Sequence, residues 1–208
     1  MSERDLGFIH RFEPGEEKLT LLMLHGTGGD ENDLLPLARL IQPDANVLSP
    51  RGKVLEGGMP RFFRRLALGV FDVPDLKARS VELVRFVSEA SETYGFARDS
   101  VVAVGYSNGA NIAASVLLEE PEVFAGAVLL HAMKPFDPDT LPDLSAKPVF
   151  LTGGRNDPMI PAAETVALEK ILVSAGADVS MHWSPGGHEL TQPEVEAARE
   201  WFTTTFVS

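Results

Sequence analysis

Short apolar runs recur along the chain, and each is followed by a turn or by a longer segment with helical spacing. They lie at residues 19–24, 46–48, 101–104, 125–130, 149–151 and 179–183. A continuous apolar run of this length is typical of a strand that is buried on both faces of a parallel sheet. The sequence therefore predicts a sheet of at least six strands.

Segments with apolar residues every three or four positions separate these runs and predict helices. They span residues 32–41, 76–94, 110–118 and 161–174, and a last one begins at Pro193 with Val195, Ala198, Phe202 and Phe206 on one face. Alternation of strand and helix predicts an α/β fold with a doubly wound, mostly parallel sheet covered on both sides. No linker-like stretch divides residues 1–208, so we expect a single domain.

Polar residues follow these strands at the points where each strand ends. The loop from His25, Ser107, His131, Asp157 and His188 all have this position. Ligands of open α/β sheets bind beyond the carboxyl ends of the strands, so a functional site is expected there.

One of these turns has the sequence of a strained nucleophile turn. Residues 105–109 read Gly-Tyr-Ser-Asn-Gly, directly after the apolar run 101–104 and before a predicted helix. Glycines two positions on either side of a serine allow strand and helix to pack closely while the hydroxyl is exposed. Ser107 is therefore the candidate nucleophile.

A serine nucleophile needs an imidazole base and a carboxylate that orients the base. Asp157 follows a buried strand in the segment Arg-Asn-Asp-Pro, and His188 follows the last strand in a glycine-containing loop. The order Ser, Asp, His is that of α/β hydrolases. The rivals are Asp139, Asp143 and Asp178 for the acid and His131 and His182 for the base. His25 is expected to brace its own loop by hydrogen bonds.

Ester hydrolysis also requires two backbone N–H donors for the developing oxyanion. Asn108, immediately after the nucleophile, supplies the expected first donor. The loop 25–30, His-Gly-Thr-Gly-Gly-Asp, follows the first predicted strand. Thr27 is the candidate for the second donor.

Together, the loop 25–29, the turn 105–109, the Asp157 turn and Gly187-His188 resemble the phospholipase/carboxylesterase family of α/β hydrolases, which includes acyl-protein thioesterases. The resemblance covers roughly residues 15–206. Residues 49–52 and 58–65 resemble a bacterial carboxylesterase branch of that family. It implies an α/β-hydrolase fold with a minimal lid and ester hydrolysis.

Composition and charge exclude several classes of protein. The chain has no cysteine, and 18 basic against 30 acidic side chains leave a formal charge of −12. This charge disfavours nucleic acid and anionic lipid as partners. No apolar run is long enough for membrane insertion and no signal peptide is indicated, so a cytoplasmic protein is expected. Histidine spacing indicates no metal, and no cofactor is expected.

The segment 55–74 is too long for a tight connection and joins aromatic residues to arginines. Between Arg51 and Arg65 there are five basic residues and only Glu56 as an acid. One interpretation is a surface loop with core aromatics and paired arginines. The other is that Phe62, Phe63 or an adjacent arginine, with Arg64 as the candidate, shapes the substrate cleft. Candidate walls of an acyl pocket are Met133, Phe136, Met159 and Ile160, for which an ordinary core role stays open.

We therefore expect a serine carboxylesterase acting on small to medium acyl esters through Ser107, His188 and Asp157. The alternatives are an acyl-protein thioesterase or lysophospholipase with a long apolar channel, and a non-catalytic protein of this fold that binds a small molecule. The only expected partner is a small-molecule ester, and a homodimer is possible.

Overall fold

The computed structural model describes residues 6–207, which contain eleven strands and five α-helices. The strands are β1 (His10–Glu13), β2 (Thr20–Leu24), β3 (Asn46–Pro50), β4 (Val54–Glu56), β5 (Met59–Arg61), β6 (Arg65–Ala67), β7 (Val70–Phe71), β8 (Val101–Tyr106), β9 (Gly126–Leu130), β10 (Pro148–Gly154) and β11 (Asp178–Ser184). The helices are α1 (Leu35–Ile41), α2 (Val73–Tyr94), α3 (Asn108–Glu119), α4 (Ala162–Ser174) and α5 (Gln192–Phe202). A π-helical segment, Thr203–Val207, extends α5.

Seven strands form the central sheet, in the order β1-β3-β2-β8-β9-β10-β11. Every neighbouring pair is parallel except β1 with β3. The predicted fold class, a doubly wound and mostly parallel sheet, is therefore confirmed. The sequence did not predict β1, because this four-residue edge strand is only half-buried and has no continuous apolar run.

Alternate residues of the central strands face two separate hydrophobic cores. In β2, Leu22 and Leu24 belong to the core beneath α2, α3 and α4, while Leu21 and Met23 belong to the core beneath α1 and α5. A strand with helices on both sides has no solvent-facing side chain. This explains why β2 is apolar at nearly every position.

Local capping accounts for the limits of α2 and α5. Helix α2 begins at Val73, three residues before its predicted start, because the Asp72 side chain accepts a hydrogen bond from the Asp75 amide. It ends before Gly95, which has a φ of 79°, a conformation that glycine adopts without strain. Helix α5 begins after a capping box between Thr191 and Glu194.

The segment between β3 and α2 forms two small antiparallel hairpins, β4–β5 and β6–β7. Phe62 and Phe63 lie between them and are fully buried in the core. Several apolar residues of the hairpins remain exposed, namely Leu55, Met59, Leu66, Leu68 and Val70. This segment is therefore partly core and partly surface.

The backbone of the turn between β8 and α3 is tightly constrained. Ser107 has φ 53° and ψ −113°, in the region that non-glycine residues rarely adopt. A Cβ on Gly109 would lie 1.9 Å from the carbonyl oxygen of Leu24, and one on Gly105 would lie 2.6 Å from the Cα of Ala110. Both glycines are required for α3 to start this close to β2.

Within residues 6–207, none of the helices combines the length and the apolar character that a membrane span requires.

Replacing Gly109 by alanine should destabilise the protein by about 3 kcal/mol or more, because the new methyl group collides with strand backbone that cannot move freely. Gly95→Ala is the matched control, since it has positive φ but nothing within 4 Å of the added Cβ. It should cost about 1–2 kcal/mol. Urea unfolding of both variants measures the difference. Equal losses would contradict a steric role for Gly109.

Candidate active site

The candidate site lies where the chain changes direction across the sheet. After β2 the chain crosses to β3 on one side, and after β8 it crosses to β9 on the other, although β2 and β8 are neighbours. Leu24 of β2 pairs with Gly105 of β8, so the loop from His25 and the Ser107 turn begin side by side. Such a switch point leaves a crevice at the carboxyl ends of the strands.

Three of the predicted residues form a continuous hydrogen-bonded chain at this edge. The Oγ of Ser107 lies 2.8 Å from Nε2 of His188, and Nδ1 of His188 lies 2.7 Å from Oδ2 of Asp157. The side chain of Asp157 is 2% exposed and that of His188 is 15% exposed. The sheet therefore brings together residues that are 50 and 31 positions apart in the sequence.

Asp157 is held as an ionised acceptor by the turn in which it lies. Its Oδ1 accepts hydrogen bonds from the amides of Met159 and Ile160 at 2.7 and 3.0 Å. Burial by itself raises the pKa of Asp157, but the hydrogen bonds from His188 and these amides outweigh it and bring that pKa below its ordinary value.

The rival acids lie elsewhere in the structure. Asp139 is exposed, Asp143 accepts hydrogen bonds from Ser145, and Asp178 begins β11 at the opposite end of the sheet. The rival base His182 lies inside β11, with its ring against Phe150. None of these four residues belongs to the chain around Ser107.

Tyr106 anchors the loop that carries His188, a contact that the sequence analysis missed. Its hydroxyl donates a hydrogen bond of 2.7 Å to the carbonyl oxygen of His188. Burial raises the pKa of the Tyr106 hydroxyl, and the negative charges of Asp157, Glu194 and Glu189 raise it further. Tyr106 is therefore a neutral hydrogen-bond donor. The sequence does not indicate this role, because the Gly-x-Ser-x-Gly motif specifies no residue type at this position.

The predicted oxyanion donors, Thr27 and Asn108, lie in the two segments that begin side by side at the ends of β2 and β8. Asn108 is the first residue of α3, and the first amides of a helix have no intrahelical acceptor. The Oδ1 of Asn108 accepts a hydrogen bond from the amide of Phe62 at 2.8 Å. Thr27 lies in the loop after β2, and both residues line the same cleft as Ser107.

His25 braces this loop, as the sequence predicted. Its Nδ1 lies 2.6 Å from the carbonyl oxygen of Gly26, and its Nε2 accepts a hydrogen bond from the amide of Gly52 at 2.9 Å. Burial lowers the pKa of His25, although the Gly26 carbonyl and nearby carboxylates partly oppose this. A neutral ring is what an accepting Nε2 requires.

The cleft beside Ser107 is narrow, with a cavity volume of about 40 Å³. Met133, Met159 and Ile160 line it, as expected, together with Arg61, Arg65, Leu68, Phe71 and Asn111. Phe136 is not among the lining residues; it is buried in the core with Lys77 over its ring.

Contrary to expectation, Phe62, Phe63 and Arg64 do not line the cleft, whereas Arg61, an arginine adjacent to Phe62, does. Phe62 packs against the His25 ring, and Phe63 packs edge-to-face on Phe71, so both aromatic rings belong to the core. Arg64 is 62% exposed and pairs with Asp72 at 3.0 Å. Arg65, the residue after Arg64, also lines the cleft.

Ion pairs neutralise most of the basic segment. Both oxygens of Glu31 accept from Arg51, at 2.5 and 2.8 Å, and Lys53 pairs with Glu82. Glu56 is shared between Arg65 at 2.7 Å and the buried Arg61 at 3.2 Å. Burial, with the charge of Arg65, lowers the pKa of Arg61. The interpretation of core aromatics with paired arginines therefore fits this segment.

A further imidazole lies behind Asp157. One nitrogen of His131 is 3.5 Å from Oδ2 of Asp157, and the possible ligand atoms of His131, Asp157 and His188 all lie within 4.8 Å of one another. Histidine spacing did not reveal this group, because three separate strands bring it together. Two of the possible ligand atoms in this group, one from Asp157 and one from His188, are already joined by a hydrogen bond. The absence of a metal stays a prediction.

The strand order, the strained serine turn and the Ser–His–Asp chain at the switch point define an α/β hydrolase fold. The profile of the dienelactone hydrolase family matches residues 74–201, and the chain belongs to that family. The expected place in the α/β hydrolase superfamily is thus confirmed.

Individual relatives cover nearly the whole chain. MhqD of Bacillus subtilis (strain 168) is 52% identical over 95% of this chain and 99% of its own. The crystal structure of the Bacillus cereus carboxylesterase matches with a TM-score of 0.93 and 51% identity, over 94% of this chain and 93% of that one. The structure of YahD with malic acid matches with a TM-score of 0.90 and 35% identity, over 94% of this chain and 98% of that one. The chain is thus a hydrolase with the fold of carboxylic ester hydrolases.

Replacing Asp157 by asparagine should lower the free energy of unfolding at pH 7, by an amount that shrinks as the pH falls. The pKa of Asp157 in the folded state lies below its unfolded-state value of about 3.9. The ionised carboxylate therefore contributes fully to stability above about pH 3.9, and this contribution is lost as the pH falls from there through the folded-state pKa. Urea unfolding between pH 7 and 3.5 measures this, with the exposed Asp139→Asn as control. A deficit that is constant over this range would contradict the proton linkage.

Proposed function

We propose that the protein is a serine carboxylesterase that hydrolyses small to medium acyl esters through an acyl-enzyme. The observation that carries this proposal is the chain of short hydrogen bonds from Ser107 through His188 to Asp157, on a strained turn beside a cleft. The carboxylesterase described for Bacillus cereus, at 51% identity, supports the same activity.

The proton positions follow from the contacts. Asp157 is an ionised acceptor, so Nδ1 of His188 carries the proton between them and Nε2 presents its lone pair to the Ser107 hydroxyl. As Oγ of Ser107 attacks the ester carbonyl, Nε2 takes the hydroxyl proton. Asp157 stabilises the imidazolium that forms without itself becoming protonated.

The remaining steps use groups that line the cleft. The amides of Thr27 and Asn108 hold the oxyanion of the tetrahedral intermediate. His188 then returns its proton to the leaving alcohol, and the acyl group remains on Ser107. Water attacks this ester by the same sequence, with His188 again as base and then acid.

The size of the cleft favours small acyl groups over long ones. Its cavity of about 40 Å³ is bounded by Met133, Met159 and Ile160. A thioesterase or lysophospholipase for long acyl chains requires a long apolar channel, which a cavity of this size does not provide. Methionine side chains adapt readily in shape, so medium chains are within reach.

The binding-protein alternative has less support, because a receptor needs neither an oriented base nor an ionised acid next to it. The hydrogen bonds that orient His188 are an arrangement that nucleophilic catalysis requires. A small-molecule ester as the only partner, a cytoplasmic location and a homodimer stay predictions from the sequence.

Hydrolysis of p-nitrophenyl esters from acetate to palmitate should be highest for short to medium chains. Ser107→Ala should lower kcat by about 10⁴-fold or more at every chain length, because the nucleophile is lost. Circular dichroism of the variant controls for folding. A maximum at palmitate would favour the long-chain alternative, and turnover that survives in the folded variant would contradict the proposed nucleophile.

Shortening one wall of the cleft should move the chain-length preference. Met159→Ala removes a partly exposed wall residue but keeps the amide that binds Asp157. We expect kcat/KM for octanoate relative to acetate to rise by about 10-fold, since each buried methylene contributes about 0.8 kcal/mol. Arg64→Ala, outside the cleft, should leave this ratio unchanged. The same ratio in both variants and the parent would remove Met159 from the acyl pocket.

A further inference from the structure

The pair formed by His131 and Glu194 is buried directly behind Asp157 and has no part in the steps above. Both side chains are 0% exposed, and Nε2 of His131 lies 2.8 Å from Oε1 of Glu194. On the other side of the ring, Nδ1 lies 3.5 Å from Oδ2 of Asp157. Neither approach has hydrogen-bond geometry, so both contacts are electrostatic.

The backbone and the helix cap fix this arrangement from both ends. His131 directly follows β9 with a φ of 53°, and its amide donates a hydrogen bond to Oγ1 of Thr152. Glu194 lies in the first turn of α5, where its Oε2 accepts hydrogen bonds from the amide and the hydroxyl of Thr191. The imidazole is thus held between two carboxylates from different elements.

The charges around the ring decide its protonation. A carboxylate lies close to each ring nitrogen, Asp157 to Nδ1 and Glu194 to Nε2, and only an imidazolium carries the positive charge that attracts both carboxylates. Burying two carboxylates this close together without a cation between them is costly. Burial by itself raises the pKa of Glu194. The contact with His131 and the hydrogen bonds from Thr191 outweigh burial and bring that pKa below its ordinary value, as expected for an ionised carboxylate beside His131.

A charge on His131 also acts on the neighbouring base. The ring centroids of His131 and His188 are 5.4 Å apart, and the rings meet edge to face. Tyr106 also lies against the His131 ring, with 5.9 Å between the ring centroids, and burial keeps its hydroxyl neutral. A cation at His131 repels a proton on His188 and partly neutralises Asp157, so both effects make His188 release its proton more readily.

We propose that His131, held by Glu194, is a cationic positioning residue that keeps His188 unprotonated and able to accept the serine proton. This inference rests on the proposed function for its catalytic meaning, but the charge relationship exists in the resting protein. Glu194 maintains the charge on His131, and His131 maintains the proton-free state of His188.

The test is an NMR titration of the histidine rings in the whole protein, which has five histidines. At pH 7 the ring nitrogens of His131 should both carry protons. In His131→Asn, the pH midpoint of His188 should rise by about one unit, because the neighbouring cation is gone. Asparagine suits the site, since it tolerates positive φ.

Two further variants keep the test decisive. In Glu194→Gln, which is nearly isosteric, His131 should be neutral at pH 7. Ser80→Ala is the structural control, because it removes a buried hydroxyl bonded to Ser115 and Leu76 far from the site. It should leave the His188 midpoint unchanged. A neutral His131 in the parent protein, or an unmoved His188 midpoint in His131→Asn, would overturn the proposal.

The pH dependence of ester hydrolysis separates this proposal from the proposed function. In His131→Asn, the acid limb of kcat/KM should move to higher pH by the same amount as the His188 midpoint, whereas a merely structural role would lower kcat at all pH values equally. A shifted midpoint with no Ser107-dependent turnover would retain the charge relationship and reject the esterase. Turnover with an unmoved midpoint would reject the His131 role alone.

Discussion

The close contact between the start of α3 and the carboxyl end of β2 is the constraint on which the site depends. Gly109 packs on the carbonyl of Leu24, and this contact leaves Ser107 in a backbone conformation that costs about 1–3 kcal/mol. The strain persists because the strands on both sides of β8 are fully buried. The same contact brings the start of α3, which includes Asn108, next to the loop after β2, which includes Thr27.

Buried ionisable groups are concentrated at this one edge of the sheet. Asp157, Glu194 and His131 are nearly inaccessible to solvent, in a protein whose other acids lie mostly at the surface. Ionic groups in such an environment interact more strongly than in water, and each needs a partner. The amides around Asp157 and the cap around Glu194 meet that need with backbone donors, which hold the charges without large movements of side chains.

Much of the fold and the core of the site could be predicted from the sequence, because the relevant signals are local. A strand buried on two faces has a continuous apolar run, and the nucleophile turn has glycines at fixed positions around Ser107. The order of Asp157 and His188 along the chain follows from the order of the strands. These features need no knowledge of which side chains meet in space.

The parts that could not be predicted depend on contacts between distant elements. Phe62 and Arg64 are two positions apart in an irregular segment without clear periodicity, so the sequence does not indicate which side chains face the cleft. In the sequence, Glu194 fits the pattern of a capping box at the start of a helix, and nothing there indicates a second role. Only the folded structure gives this cap residue a second contact, with His131 directly after β9.

That second contact shows how a stabilising group can also adjust the site. The Thr191–Glu194 cap would stabilise α5 with Glu194 at the surface, as helix caps commonly do. Its burial against His131 adds a desolvation cost that the cap does not require. The cost is offset only if the pair is charged, and a charged pair at this position changes the field at Asp157 and His188. The stability of α5 and the electrostatics of the site are therefore linked through one carboxylate.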